Sequence, residues 1–309
     1  KGRGVGGRIA TRRLSDGLPY DHGALRFSAG AGAVASLVST WEAEGLVEPT
    51  GDGTSLQRIV GPATRLPKSL AEGLEVETGV RVVALRRRGG ALEAGLGDGR
   101  SIDAAAAIVS CPVPQTLDLL DAGGLTGEIA EPLLAELRRV TYEPGLVLLL
   151  RLDRRAEGFR PDTLVECRDG GAVSRVLENA GPDEEGPSRL SVYARGSFAR
   201  DAFDRPDADV IAALLDAARA ALPPLRGAGV VERELKRWRY ARAERPVAAL
   251  APVLSSTGGP VVLCGDAFGP ALPQGDGGAN GIARAVRSGL AAAARLSPAR
   301  AEAEQVARA

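Results

Sequence analysis

The sequence has no methionine, one histidine (His22), three lysines and three cysteines, and only 4% of its 309 residues are aromatic. Each scarcity removes a class of chemistry. A single imidazole cannot build a multi-histidine metal centre, and without a G-x-S-x-G elbow beside it there is no serine-hydrolase triad. Cys111, Cys167 and Cys264 are odd in number and far apart, which argues against a disulfide framework and any close-spaced metal site and leaves buried thiols as the default. Thirty-nine basic residues against thirty-nine acidic ones leave no net charge, so the basic footprint of a nucleic-acid binder is missing. No apolar run approaches the roughly 20 residues of a membrane span and no signal peptide is visible. The expectation is a cytoplasmic protein with neither nucleic-acid nor membrane partners.

What remains is ordinary globular material, 44% hydrophobic and 25% charged, with enough chain for one large domain or two intertwined ones. It opens KGRGVGGR, in which Gly2, Gly4 and Gly7 spell G-x-G-x-x-G. That fingerprint works when a strand feeds the glycine turn and an amphipathic helix leaves it. Here only Lys1 precedes Gly2, and Ile9 and Leu14 do not recur at helical spacing. Read alone, the stretch is a glycine-rich, solvated terminus.

Further on, strands and helices alternate without a fixed repeat. Val34, Leu37, Val38 and Trp41 make a helical stripe that Gly45 caps. VRVVAL (80–85) and ALEAGL (91–96) read as two strands joined at Gly89 and Gly90, followed by a turn at 97–99. AAAIVS (105–110) reads as a buried strand stopped by Pro112 and Pro114, with a helix from near Gln115. Leu133, Leu134, Leu137 and Val140 mark a helix, 146–152 a strand, 189–194 another and 210–222 a helix. ERELKRWRY (232–240) is extended, and its charges place it at an edge. PVVLCGDAFG (260–269) is a buried strand ending in Gly265 and Asp266, then a glycine-rich loop, then a helix from about Ile282. A carboxylate at such a strand end suits sugar or polyol hydroxyls, with free N–H groups at the helix start beyond it. The alternative is that Asp266 merely caps a loop.

Taken in order, GVGGR, DHGA, VRVVAL, CPVPQ, the Trp238–Arg239 pair and CGDAFG followed by SGLAAA resemble the flavin-dependent amine oxidase superfamily, and within it the renalase-like branch. The resemblance implies an α/β fold: a discontinuous, truncated FAD-binding Rossmann-like domain (1–27, 75–114 and 255–309) with an inserted substrate domain of mixed sheet and helices (28–74 and 115–254). Gly6, Gly7 and Arg8 match the Gly-Gly-Arg that follows the family's fingerprint, which puts the true fingerprint before Lys1. It further implies that Arg8 neutralises the FAD diphosphate. Asp21, Gly23 and Ala24 line the isoalloxazine, Val82 offers backbone groups to the adenine, Gly265 and Asp266 hold the ribityl chain, and the N–H groups of Ile282 and Ala283 face the flavin N1 and O2. The other readings are a surface charge for Arg8, core packing for Val82 and a satisfied loop histidine for His22. With no cysteine or histidine placed for a covalent link, FAD binds noncovalently.

Relatives of this kind oxidise misreduced dihydropyridine isomers of NAD(P)H, passing electrons through FAD to oxygen. Tyr193, Trp238, Arg239 and Tyr240 would then meet a dihydronicotinamide nucleotide, with core packing as the other reading for the aromatics. No acid or base presents itself, since hydride transfer rests on positioning. A flavin amine oxidase or desaturase acting on another small molecule is the alternative, amine oxidation being weakened because the family's lysine near flavin N5 has no counterpart in 146–152. A non-catalytic fragment is a further alternative. The chain departs from relatives in having Leu25 and Arg26 where Gln and an aromatic are usual, and Ala283 and Arg284 where Glu and Gly often open the last helix.

Overall fold

A computed structural model describes residues 4–29, 32–51, 54–157, 163–168, 171–181, 184–254, 259–270 and 280–296. Gly2, the glycine-rich stretch 271–279 and the ends of the expected third cofactor segment, 255–258 and 297–309, lie outside them.

Turn chemistry shapes the first part of the chain. β1 (Thr11–Arg13) and β2 (Pro19–Asp21) form an antiparallel hairpin, closed where Gly17 adopts φ 72° and donates to Leu14 O at 3.0 Å. β3 (Arg26–Ser28), α1 (Ala33–Ala43), β4 (Val47–Pro49), β5 (Leu56–Ile59) and α2 (Arg65–Leu70) follow, the strands ordered β3-β5-β4. The stripe on α1 buries Val34, Val38 and Trp41, and the helix stops at Gly45 (φ 64°), where Leu46 N–H reaches back to Trp41 O. The expected hairpin is present as β6 (Val82–Arg88) and β7 (Ala91–Leu96). Gly89 and Gly90 both lie at positive φ in the tight turn, and β8 (Ser101–Ala104) completes a meander.

β9 (Ala107–Val109) corrects the expectation of a fully buried strand at 105–110. It is three residues long and its Ile108 is 44% exposed, because β9 is an edge of its sheet. α3 (Val113–Ala122) starts two residues earlier than read. Its Pro114 is tolerated in the first turn, where an N–H has no intrahelical acceptor. α4 (Glu131–Arg138) carries the expected Leu134 and Leu137 inward.

The largest sheet comes from the middle of the chain: β10 (Tyr142–Leu152), β11 (Leu164–Glu166), β12 (Val173–Glu178), β13 (Arg189–Ala194) and β14 (Val230–Ala243), ordered β11-β12-β13-β10-β14. Strand alternation sorts the apolar run of β10 into two faces. Leu146, Leu148, Leu150 and Leu152 pack on α5 (Gly196–Ala202) and α6 (Asp207–Ala221), while Val147 and Leu149 meet Leu14 and Tyr20 of the first hairpin. Burying each of these leucines contributes about 2 kcal/mol. β14 is an edge strand, as its charges predict. β15 (Val253–Leu254) and β16 (Val261–Leu263) precede α7 (Asn280–Leu296), and β16 pairs parallel with β9, Val262 opposite Ile108. The fold is mixed α/β, with five sheets among the described residues. No helix among them is long and apolar enough to cross a membrane.

Candidate functional site

Two glycines at positive φ, Gly6 (104°) and Gly7 (59°), turn the chain so that residues 8–10 run beside 22–24. Ala24 N–H donates to Arg8 O and His22 N–H to Ala10 O, each at 2.9 Å. Gly23 is required there, because a Cβ on it would collide with the Arg8 carbonyl. From this ladder the Arg8 side chain crosses to the end of β16. Its Nη1 donates to Asp266 Oδ2 at 2.8 Å and Nη2 to Oδ1 at 2.5 Å, a two-pronged pair extended by a bond from Nη1 to Tyr240 O. The Arg8 guanidinium lies over the Tyr142 ring, which in turn packs edge-on against Tyr240 at 5.3 Å. Burial pushes the Tyr142 phenol up to about 12, and its oxygen accepts the Val113 N–H.

Asp266 follows Gly265, whose φ of 134° is open to glycine, and beyond it α7 approaches. Ser288 of α7 pins this approach, accepting the Gly265 N–H at 3.0 Å and donating to Leu250 O at 2.6 Å. Ile282 and Ala283 are buried in one cluster with Phe27, Val34 and Trp41, against which Ala24 also packs. The first turn of α7 and the 22–24 ladder therefore share a wall.

A second cluster forms on the same ladder. Tyr193 OH donates to Asp21 O at 3.1 Å and Gly23 O at 3.3 Å, and Trp238 Nε1 donates to His22 O at 2.9 Å with the two rings stacked 5.3 Å apart. The Asp21 carboxylate accepts the Ala63 N–H and the Thr11 hydroxyl, so it braces the turn. His22 is 9% exposed and its Nδ1 is buried without a partner among the described residues. Burial, and then the Lys236 ammonium, hold its imidazole down at about 4, so the ring is neutral near pH 7. Lys236 pairs with Glu234, which also accepts from Arg12 at 3.0 Å. Although burial pushes the Glu234 carboxyl up, hydrogen bonds from Lys236 and Arg12 hold it below its usual range.

The structure thus gathers Gly6, Gly7, Arg8, Gly265, Asp266 and Tyr240 at one end of the ladder, and Asp21, Gly23, Tyr193 and Trp238 at the other. It does not gather Arg239, which alternation turns to the opposite face of β14. There it lies 4.7 Å over the Phe203 ring, beside a depression of about 590 Å³ also lined by Asp204 and Arg237. Val82 is on β6 and 41% exposed, which overturns core packing as its role. His22 is not a satisfied loop residue and Arg8 is not a free surface charge. Cys264 is buried, with a thiol pushed up to about 11 by burial and by neighbouring Cys111.

Read alone, the sequence assigns Lys236 and Arg284 no role in the site, Arg284 standing out only as a departure from relatives. Lys236 stands on the neighbouring strand opposite Val147, so a search for lysine within 146–152 missed it by one strand. Its signal lay in the alternation of β14, which puts Glu234, Lys236 and Trp238 on one face.

The sequence profile of flavin containing amine oxidoreductases matches residues 25–297. This chain belongs to the flavin containing amine oxidoreductase family. The family, by its description, is one of flavin-containing oxidoreductases, and the match agrees with the mixed α/β fold. Among solved structures, similarity extends to a protein described as a protoporphyrinogen oxidase from Exiguobacterium sp. 255-15, at 15% identity, a TM-score of 0.52 and 78% of this chain. A putrescine oxidase bound to putrescine matches at 12% identity, with the same TM-score over 78% of the chain. At those identities the likeness is one of fold. The chain spans about half the length of these structures, 53% and 54%. No curated protein matches the sequence significantly.

The residues present fit a flavin at the second cluster and α7. The orphaned Nδ1 of His22 leaves a buried hydrogen-bonding position beside the ladder, and the first N–H groups of α7 have no intrahelical acceptor. At Arg8 the fit differs from the expectation, since both terminal nitrogens are already engaged by protein oxygens.

Proposed function

We propose that this chain is part of an FAD-dependent oxidase that takes a hydride from a small-molecule donor and passes the electrons to oxygen, in the manner of the renalase-like branch, with a dihydronicotinamide nucleotide as donor. The observation that carries the reading is the convergence of Arg8–Asp266, the His22–Ala24 ladder and the first turn of α7. FAD, when bound, supplies a two-electron acceptor that oxygen can reoxidise. The protein's part is positioning: Asp266 for the ribityl hydroxyls, the backbone of Asp21, Gly23 and Ala24 for the ring edge, and Ile282 and Ala283 N–H groups for the charge that accumulates on reduction. Tyr193 and Trp238, both bonded to ladder carbonyls, fix that edge from behind. The cofactor domain would join 1–27, 75–114 and 255–309. Parallel pairing of β9 with β16 and the Arg8–Asp266 bond support that grouping. From 28–74, Val34, Val38, Trp41 and Leu66 share a cluster with Ile282 and Ala283 of α7.

One observation favours the second reading, amine oxidation: a lysine, Lys236, stands close enough to His22 to act on its imidazole, and the resemblance implies a lysine near the flavin for that chemistry. Anaerobic mixing of the flavin-loaded protein with dihydropyridine isomers of NAD(P)H and, separately, with small amines decides between them. Bleaching of the yellow flavin by the dihydropyridines is expected. Bleaching by amines alone would transfer the assignment to the second reading.

A further inference from the structure

Arg284 is 8% exposed, yet its Nε is buried with no partner and no hydrogen bond or ion pair ties its side chain to a described residue. Arginine is almost never this buried without a protein acceptor, because nothing in the protein then compensates its charge. Its surroundings make matters worse. Asp266 is the carboxylate that reaches it, and both Asp266 oxygens are taken by Arg8, while Arg242 and Arg8 add like charge. Arg242 is itself turned to Glu143 at 3.0 Å. Desolvation pulls the Arg284 guanidinium below its usual range, outweighing the opposite pull of the Asp266 carboxylate.

Geometry shows where the missing charge belongs. Arg284 stands one turn before Ser288 on the same face of α7, and Ser288 is fixed to Gly265 N–H, so Arg284 faces the end of β16 and Asp266. Its stem runs beside Gly269, where a Cβ would lie 4.0 Å from Arg284 Cγ. The position is also near the N-terminus of a seventeen-residue helix, whose partial positive charge adds to that of the guanidinium.

We infer that Arg284 is the cation of a buried oxyanion site that takes a phosphate or diphosphate group. Arg8, saturated by Asp266 and backbone carbonyls, serves to hold Asp266 in place. The site goes beyond the flavin reading: its ligand chemistry belongs equally to the diphosphate of a dinucleotide and to a free phosphorylated metabolite.

Thermal melting of the wild-type chain and of Arg284→Met, each with inorganic diphosphate, FAD or riboflavin, tests the site. Without ligand, R284M is expected to melt higher than wild type, because an uncompensated buried charge is gone. Diphosphate should raise the wild-type midpoint and leave that of R284M unchanged, with affinity at least tenfold weaker in the variant. R284K, a charge without the planar fork, should respond weakly. Lower stability of ligand-free R284M, an equal diphosphate response in both proteins, or no response in either would overturn the inference. An Arg284-dependent shift with riboflavin, which has no phosphate, would overturn it too. A diphosphate response without one to FAD would uphold the oxyanion site while contradicting the flavin reading.

Discussion

His22 shows how much one side chain can carry when it is the only one of its kind. Its ring is trapped between Trp238 and the charged trio Arg12, Glu234 and Lys236, and in this environment the neutral form is favoured. The folded imidazole titrates near 4 and an unfolded one near 6.5. The unfolded state therefore binds the extra proton between these values, so the stability due to a neutral His22 is complete above 6.5 and is lost as pH falls towards 4. The loss amounts to about 3 kcal/mol. Chemical denaturation across that window should show wild type losing this much more than His22→Phe, which keeps the stack and cannot titrate. As the sole histidine, its ring proton can be followed without ambiguity, and a midpoint near 6.5 would show that the ring is not held neutral. None of this was legible at the residue level. The DHGA stretch marked the turn, but Trp238, Glu234 and Lys236, which surround His22 with Arg12, come from β14, more than two hundred residues away.

At the scale of elements, β10 joins the two halves of the architecture through its two faces. Leu148 looks to α5 and α6, and Leu149 to the β1–β2 hairpin that leads into the ladder. Either change to alanine should cost about 3 kcal/mol. They should differ in what loosens: Leu149→Ala is expected to strip hydrogen-exchange protection from the Tyr20 and His22 amides at conditions where Leu148→Ala leaves them protected. Equal protection in both variants would show that the hairpin does not lean on that face. Periodicity made α1, α6, β10 and β13 readable, because each buries one stripe or one apolar run long enough to stand out. The three-residue strands β1 to β4 gave no such signal. β1 and β2 meet through the local turn at Gly17, while the close approach at Gly23 and the Asp21 carboxylate's hold on Ala63 N–H are tertiary and leave no period in the sequence. The start of α3 was misplaced for the opposite reason: two prolines looked like a stop, although the first turn of a helix admits one.

For the whole molecule, the order of short motifs proved more informative than composition. Composition spoke against metal, triad and nucleic-acid chemistry, and it left an unremarkable neutral chain. The motif order GVGGR, DHGA, CPVPQ and CGDAFG led to the flavin family, and the fold brings the first and last of these into one hydrogen-bonded pair, Arg8 with Asp266. What motif order did not convey is which cations would be spent within the protein and which left open, since that depends on geometry between distant segments. The flavin reading stands or falls with the cofactor itself. Native protein purified from its own source, denatured and centrifuged, should release FAD into the supernatant, identified by mass and by its fluorescence. Protein that carries no flavin, or colour that stays with the precipitated chain, would contradict noncovalent FAD binding.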